Sequence, residues 1–347
     1  MGNDAGGHHT DLQITVVLGD PRMPDRSKPG GWFTPDDLDQ VVRLKTALEA
    51  IEGYAFDYWD DHTILLQRLQ SDRPAFVLNF CDTGYRNDAG LELHIGAYLE
   101  MLGIPSSGSA PVALGLCYDK ALVRAVAWTH GVAVPDEIVL APQEMLGTTR
   151  YPVFIKPNRG DGSLGISTKS LAASRDEAEV CLTQLRAQLP GSVVIVQEYL
   201  DGKEFSVGLI GNPGDGFDFL PILEVDYSAL DPALPRLLDY GSKTDPESPY
   251  WNNVHFVSAR VPEHSEAQMK KDCMLLFERL GLRDYGRFDF RCDSGGAVKL
   301  LEINPNPAWC WDGKLAHMAS LRGEDHSDLL ANIIGAARRR CFGKLDV

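Results

Sequence analysis

Apolar residues in this chain fall either in short continuous runs or at helical spacing, and the two kinds take turns. Leu12–Leu18 (LQITVVL) is a run of the first kind, and its length and β-branched content predict a buried strand. A Pro- and Gly-rich segment, Gly19–Pro35, follows. Leu38, Val41, Val42, Leu44, Leu48 and Ile51 then recur at three- and four-residue steps, which predicts a helix over Asp36–Glu52 that starts near Thr34–Asp36. Ala55–Trp59 and Ala75–Phe80 predict two further strands with a helix over His62–Gln70 between them. Gly90–Leu102 predicts a helix stopped by Gly103 and Pro105. Strand alternating with helix predicts an α/β domain built on a parallel sheet with helices on both faces. We assign it residues 12–108, closing at the small-residue stretch Ser106–Pro111.

Beyond it the pattern predicts a helix at Tyr118–His130 and strands around Glu137–Leu140, Tyr151–Lys156 and Ser192–Glu198, with a helix over Arg175–Leu189. A strand at Glu204–Ile210, a loop-rich stretch to Pro249, a strand at Val254–Val261 and a helix at Glu263–Leu280 come next. The chain closes with a helix at Asp325–Phe342. Residues 109–196 and 197–347 read as two further domains, α+β in parts.

The chemistry concentrates in Tyr285–Pro307, YGRFDFRCDSGGAVKLLEINPNP. Two apolar runs flank Asp-Ser-Gly-Gly, a hairpin turn signal. With Ser294–Gly295 as a two-residue loop, Arg287 lies opposite Glu302 and Asp289 opposite Leu300. Side chains repeat every second residue on a strand, so Arg287, Asp289, Glu302 and Asn304 share one face. Carboxylate and amide oxygens are the ligands a hard cation such as Mg²⁺ takes; a solvated ion-pair face is the other reading of the same residues.

Lys156 stands at a strand end before Pro-Asn-Arg-Gly-Asp-Gly-Ser163-Leu-Gly165. Glycines let backbone N–H groups approach a phosphate closely, although the run is neither a Walker loop nor a dinucleotide fingerprint. Gln197–Glu204 (QEYLDGKE) ends an apolar strand in polar groups, so its backbone could meet a purine and Glu204 a ribose. Lys120 opens a helix from which it could reach a phosphate. His94, His130, His255 and His317 read as packing or surface residues.

Composition narrows the partners. The net charge of −16 excludes nucleic acid, and makes each lysine beside a glycine-rich loop informative. Seven cysteines form no CxxC pair, which points to a reducing cytoplasm. No apolar run approaches the ~18 residues of a membrane span, and no signal-peptide pattern opens the chain. Met1–Asp11 reads as a disordered tail.

Lys120, Lys156 with its Gly-Ser-Leu-Gly loop, Gln197-Glu-Tyr-Leu-x-Gly-x-Glu204, Lys243 and Arg287-Phe-Asp289…Glu302-Ile-Asn304-Pro occur in the order of the ATP-grasp superfamily. From about Leu91 to Pro307 the chain resembles its D-alanine–D-alanine ligase branch. The resemblance implies a three-domain ATP-grasp fold with an N-terminal Rossmann-like domain, and ATP bound between the other two. It implies that Lys120 and Lys156 hold phosphates under Ser163 and its loop, and that Lys243 reaches the γ-phosphate. Gln197, Glu198, Tyr199 and Leu200 would contact adenine, with Glu204 on the ribose and Phe154 and Leu301 around the base. Asp289, Glu302 and Asn304 would bind two Mg²⁺, which Mn²⁺ could replace, and Arg287 would stabilise the oxyanion. A homodimer is the habit of that branch.

The substrate half departs from the branch. Leu18-Gly-Asp-Pro-Arg-Met-Pro-Asp-Arg replaces the segment whose Glu holds the first substrate's ammonium, and Asn79–Asp88 replaces another substrate segment. Ala308 stands where the oxyanion hole has Gly. Trp309-Cys-Trp-Asp-Gly-Lys314 stands where Ser-Leu receives the second substrate, and Thr244 where Tyr is usual. We therefore expect an ATP-dependent carboxylate–amine ligase acting on amino-acid-like substrates other than two D-alanines. Asp82, Arg86, Asn87 and Asp88 are candidates for one substrate, and Trp309 and Trp311 for a bulkier acceptor pocket, with core packing as the alternative for both tryptophans. A genuine D-alanine–D-alanine ligase, a kinase-like ATP-grasp enzyme and a nucleotide-binding regulator without turnover are the rival readings.

Overall fold

A computed structural model describes residues 12–160, 163, 165–239 and 241–343, with the side chains of residues 29, 243 and 244 outside that description. The expected tail at 1–11 lies outside the described residues.

The first unit is the predicted parallel sheet, three strands in the order β2-β1-β3: β1 Leu12–Val17, β2 Tyr54–Trp59 and β3 Val77–Asn79. Helix α1 (Pro35–Glu49) starts where Thr34 accepts from the Asp37 N–H while Asp37 accepts from the Thr34 N–H. That reciprocal cap satisfies two amides that the helix leaves unpaired. Helices α2 (Leu65–Asp72) and α3 (Glu92–Leu102) follow, α3 ending at Gly103 in the left-handed region.

Helix α4 (Pro111–Cys117), which the periodicity did not predict, leads into α5 (Lys120–Thr129), capped by the Asp119 side chain. The second sheet is antiparallel, in the order β4-β7-β5-β6: β4 Glu137–Leu140, β5 Val153–Pro157, β6 Leu171–Ala172 and β7 Val194–Glu198. Helix α6 (Arg175–Gln188) packs Ala178, Leu182 and Leu185 against it. The boundary we set between 196 and 197 cuts β7, whose last two residues, Gln197 and Glu198, pair within this sheet.

The third sheet runs β11-β10-β8-β12-β13, with β9 beside β8: β8 Glu204–Asn212, β9 Gly216–Phe219, β10 Leu223–Asp226, β11 His255–Ser258, β12 Tyr285–Cys292 and β13 Val298–Asn304. Short helices α7 (Gly241–Thr244) and α8 (Pro249–Asn253) interrupt what read as loop, and α9 (Glu263–Leu280) covers one sheet face. On the other face lie α10 (Lys314–Ser320) and α11 (His326–Phe342). Gly208 of β8 makes that approach possible, because a Cβ there would stand 2.7 Å from Leu315 and 2.8 Å from Met318.

Helix α11 joins the two ends of the chain in one core. Leu329, Leu330, Ile333 and Ile334 pack with Ile14, Val16, Leu44 and Leu48 of the first unit and with Ile210 and Leu223 of the third sheet. Polar anchoring reinforces this. Asp284 is fully buried; it accepts from Arg340 (Nε 2.8 Å, Nη2 2.8 Å), from the Gly108 N–H (2.9 Å) and from Asn212 Nδ2 (3.1 Å). Removing one partner of a buried ion pair strands the other charge, at a cost of about 3–5 kcal/mol. Arg340→Ala should therefore lower the urea-unfolding free energy by about 3 kcal/mol or more, whereas Arg339→Ala, whose exposed side chain reaches Asp215 at 3.5 Å, should stay within ~0.5 kcal/mol. Equal effects of the two variants would show that the Asp284 cluster does not carry the packing of α11.

Candidate active site

The β12–β13 hairpin differs from the expected register in a way that improves the site. The turn is longer than assumed: the Asp293 N–H donates to Ala297 O and the Gly296 N–H to Asp293 O, so Cys292 pairs with Val298. Between Asp289 and Phe290 the register then shifts, and Leu301 is the extra residue of a bulge. Asp289 therefore faces Glu302, not Leu300, and Arg287 faces Asn304, not Glu302. The four residues share one face as expected, with the two carboxylates directly opposite one another.

Asp289 is buried and heavily partnered. Oδ1 accepts from Ser206 Oγ (2.5 Å) and Arg287 Nε (3.1 Å); Oδ2 accepts from Arg287 Nη2 (3.0 Å) and Asn304 Nδ2 (3.2 Å). Burial alone would raise its pKa, but the charges of Arg287 and Lys314 hold it well below the ordinary carboxylate range. Glu302, about a third exposed, has Lys120 Nζ at 4.0 Å. Burial works against its ionised form and Lys120 for it, with a net lowering.

The two lysines come from other elements. The loop after β5 caps α5: Asn158 O accepts from the Lys120 N–H (3.1 Å) and Asn158 Oδ1 from the Ala121 N–H (2.9 Å). That arrangement puts Lys120 Nζ 2.5 Å from Gly160 O, at the start of the glycine-rich loop. Lys156 is buried, and no carboxylate stands within 4.0 Å of it among the described residues. Burial, reinforced by Arg124, lowers its pKa to about 7. Ser163 sits in the left-handed region and donates to Leu238 O (3.1 Å). Leu164 and the side chain of Lys243 lie outside the described residues, so their expected roles gain no geometry here.

The expected nucleotide segment is built around buried polar groups. Gln197 is buried, and its Nε2 lacks a hydrogen-bond partner among the described residues, an arrangement that a bound polar ring edge would complete. Glu198 accepts from the Asp136 N–H (2.9 Å) and pairs with Lys299 (2.5 Å). Tyr199 donates its hydroxyl to Arg236 O, and Leu200 is buried. Glu204 accepts from Tyr227 (3.0 Å) and faces Arg291 at 3.4 Å. Phe154 is half-buried beside Gln197, and Leu301 half-buried at the bulge.

Sequence reasoning missed Arg124, Arg291 and Lys314. Arg124 is buried, pairs with Glu137 and donates Nη1 to the bulge carbonyl of Leu301 (2.7 Å). Its signal was a second cation one turn after Lys120 on the helix's apolar stripe. Arg291 is the next outward position after Asp289 on β12. Lys314 donates to Ser206 Oγ (2.9 Å), with Asp289 at 3.5 Å.

Several of the proposed substrate residues also make contacts that hold the scaffold. Asn87 donates Nδ2 to Asp20 O (2.7 Å) and accepts from the Asp20 N–H (3.0 Å), so its amide ties this segment to the one after β1. His62, buried between the two, accepts at Nδ1 from the Arg86 N–H and uses Nε2 on Leu18 O. The Arg86 side chain is exposed beside Tyr85, and Asp88 caps the Gly90 N–H. Trp309 is buried against Phe80 and donates Nε1 to Phe80 O (2.9 Å), which is core packing. Trp311 lies exposed under Arg43, 4.6 Å from ring centre to guanidinium, on the α1 surface. Asp82 and Trp309 nevertheless line one small cleft with Glu92, Tyr285 and Asn306, and burial, opposed by Lys28, raises the Asp82 pKa to about 6.

Comparison with known proteins places the chain in a family. An uncharacterised protein, y4sG, of Sinorhizobium fredii is 29% identical over 259 residues, covering 72% of this chain and 71% of its own. A D-alanine–D-alanine ligase of Marinomonas sp. is 28% identical over 335 residues, 94% of this chain and 92% of its own. A putative D-alanine–D-lactate ligase of Streptomyces coelicolor is 27% identical over 245 residues, 69% and 66%. The crystal structure of the Bacillus anthracis D-alanine–D-alanine ligase with ATP superposes with a TM-score of 0.70 over 95% of this chain and 98% of its own, at 19% identity, which shows the fold. The family model for the D-ala D-ala ligase C-terminus matches residues 131–335. That match spans more than half of the chain, which therefore belongs to the D-alanine–D-alanine ligase C-terminus family and is an ATP-grasp ligase.

Proposed function

We propose that the chain is an ATP-dependent carboxylate–amine ligase that joins two amino-acid-like substrates through an acyl phosphate and releases ADP and phosphate. The observation that carries this reading is the meeting of Lys120, Lys156, Arg287 and the Asp289–Glu302 pair, drawn from α5, β5 and the β12–β13 hairpin. A carboxylate oxygen of the first substrate attacks the γ-phosphorus, and the amine of the second then displaces phosphate to form the amide. Lys120 and Lys156 hold the phosphates in line, and positioning with charge neutralisation supplies most of the catalysis of such a transfer. Arg287, a permanent cation on the open side of the hairpin, faces the oxyanion of the second step. Lys243 and Ser163, with its loop, act from above on the γ-phosphate.

The nucleotide sits along Gln197–Leu200, its base between Phe154 and Leu301 and its ribose toward Glu204. Divalent magnesium suits the hairpin's donors: Glu302 is ionised, and Asn304, having given its Nδ2 to Asp289, keeps Oδ1 as an acceptor. When bound there it would supply positive charge next to the terminal phosphates.

Substrates other than two D-alanines follow from the replaced segments. The residues after β1 are committed to Asp20, His62 and Asn87, and Lys314 stands where the branch has Ser-Leu. The second reading, a genuine D-alanine–D-alanine ligase, draws on the Marinomonas relative, which matches across nearly the whole chain. Seven free thiols suit a cytoplasmic enzyme, and among the described residues no helix is long and apolar enough to cross a membrane.

Phosphate release should depend on Mg·ATP together with an amino acid and an amine acceptor. A screen of amino-acid pairs, with mass spectrometry of the product, decides between the two readings, and ADP release that never needs an acceptor would refute both. Arg287→Met should lower kcat by about 10²–10³-fold, the loss seen for single oxyanion donors, with a smaller change in nucleotide affinity. Lys156 makes a separate prediction. Its pKa near 7 means that it is partly neutral in the free protein, and a bound phosphate raises that pKa. Nucleotide binding at pH 8 should therefore take up about one proton, and affinity should weaken as pH rises from 7 to 9, by up to ~10-fold per unit. Calorimetry in two buffers of different ionisation enthalpy measures the uptake, and Lys156→Met should abolish it.

A further inference from the structure

Lys314 begins α10, the helix that Gly208 allows onto the sheet, and the close contacts of Leu315 and Met318 fix its approach. Two positions along β8 from Gly208 is Ser206, whose Oγ accepts from Lys314 Nζ at 2.9 Å while donating to Asp289 Oδ1 at 2.5 Å. Nζ itself lies 3.5 Å from Oδ1, and the ring of Phe256 stands 5.9 Å from it. The lysine side chain is only 13% exposed.

Asp289 is thereby saturated. A carboxylate offers about four lone-pair sites, and Ser206, Arg287 and Asn304 fill them, with Lys314 adding a second positive charge beside Oδ1. A divalent ion at this carboxylate would stand close to two cations and need oxygen ligands about 2.0–2.1 Å away, in positions already taken by N–H and O–H donors. Glu302 differs: among the described residues Lys120, at 4.0 Å, is the cation that pairs with it, and a third of its side chain is open to solvent.

We infer that the Lys314 ammonium stands in for one of the two divalent ions expected at this hairpin, so that the site takes a single ion at Glu302 and Asn304. This rests on the ligase reading above. It assigns Lys314 as a positioning residue: it neutralises Asp289, which holds Arg287 and Asn304 in place, without itself touching the transferred group. It also gives a role to the Trp309–Lys314 segment, where the sequence leaves the branch's pattern.

The test counts ions without needing the substrates. Full-length protein is titrated with Mn²⁺ and AMP-PNP, and bound Mn²⁺ per bound nucleotide is read by electron paramagnetic resonance. Wild type should bind one ion per nucleotide, with the spectrum of an isolated Mn²⁺. Lys314→Met should bind two, with the spin coupling of ions about 3.5–4 Å apart, while Lys314→Arg, which keeps the charge, should stay at one. Circular dichroism confirms that each variant is folded, and Lys314→Arg carries the test if the Met variant is not. Two coupled ions in wild type, two ions in Lys314→Arg, or one ion in folded Lys314→Met would overturn the inference and leave the ligase reading intact. Failure of wild type to bind Mn²⁺ and AMP-PNP at all would overturn both.

Discussion

One extra residue in one strand governs this site. Leu301 bulges out of the β12–β13 ladder, and because of it Glu302 lies opposite Asp289. Without the bulge, Glu302 would pair with Phe288 and point into the core that Phe288 and Phe290 share with α9. The bulge is held from outside the sheet, since Arg124 donates to its carbonyl while paired with Glu137 of β4. The helix that carries Lys120 thus also fixes the register that gives Lys120 its carboxylate. A bulge kept by a buried guanidinium couples the central and C-terminal sheets at the point where a nucleotide would lie between them.

The charge arrangement follows from that coupling. The chain is strongly acidic as a whole, yet among the described residues Lys120, Lys156, Arg287 and Lys314 stand around the carboxylates of Asp289 and Glu302. An anionic ligand repelled by the surface meets a local excess of positive charge behind it. Lys156 shows the strain of that crowding: burial and neighbouring cations favour its neutral form, a penalty that an incoming phosphate relieves.

How far the sequence could be read depended on whether a feature was local. Period-two alternation put Arg287, Asp289, Glu302 and Asn304 on one face from the sequence alone; a start signal near Thr34 and a stop at Gly103 bounded the start of α1 and the end of α3, and the spacing gave α9 its bounds. The register was not legible, because a three-residue turn and a bulge each move it by one step and Asp-Ser-Gly-Gly suits either turn length. Helix α10 was missed: seven residues give too little periodicity, and its contacts depend on a glycine about a hundred residues earlier. Trp309 and Asn87 were ambiguous for a related reason. Both looked like ligand groups in sequence, but their polar atoms meet backbone partners that only the tertiary fold supplies.

The same contrast explains why the nucleotide half is recognisable and the substrate half is not. The residues proposed to meet phosphate, base and ribose fall in short local runs, so linear motifs record them. The cleft that holds Asp82, a candidate substrate residue, lies where the end of β3, the start of α3 and the segment after β13 converge around Asp82, Glu92 and Asn306. No spacing rule links those three segments, which come together only because α11 closes the first sheet against the third. On the proposed reading, specificity is set at the interface between the first unit and the rest. A lineage could replace the loops at that interface, as this chain has after β1 and β3, while leaving untouched the bulge and the lysines that the phosphoryl chemistry requires.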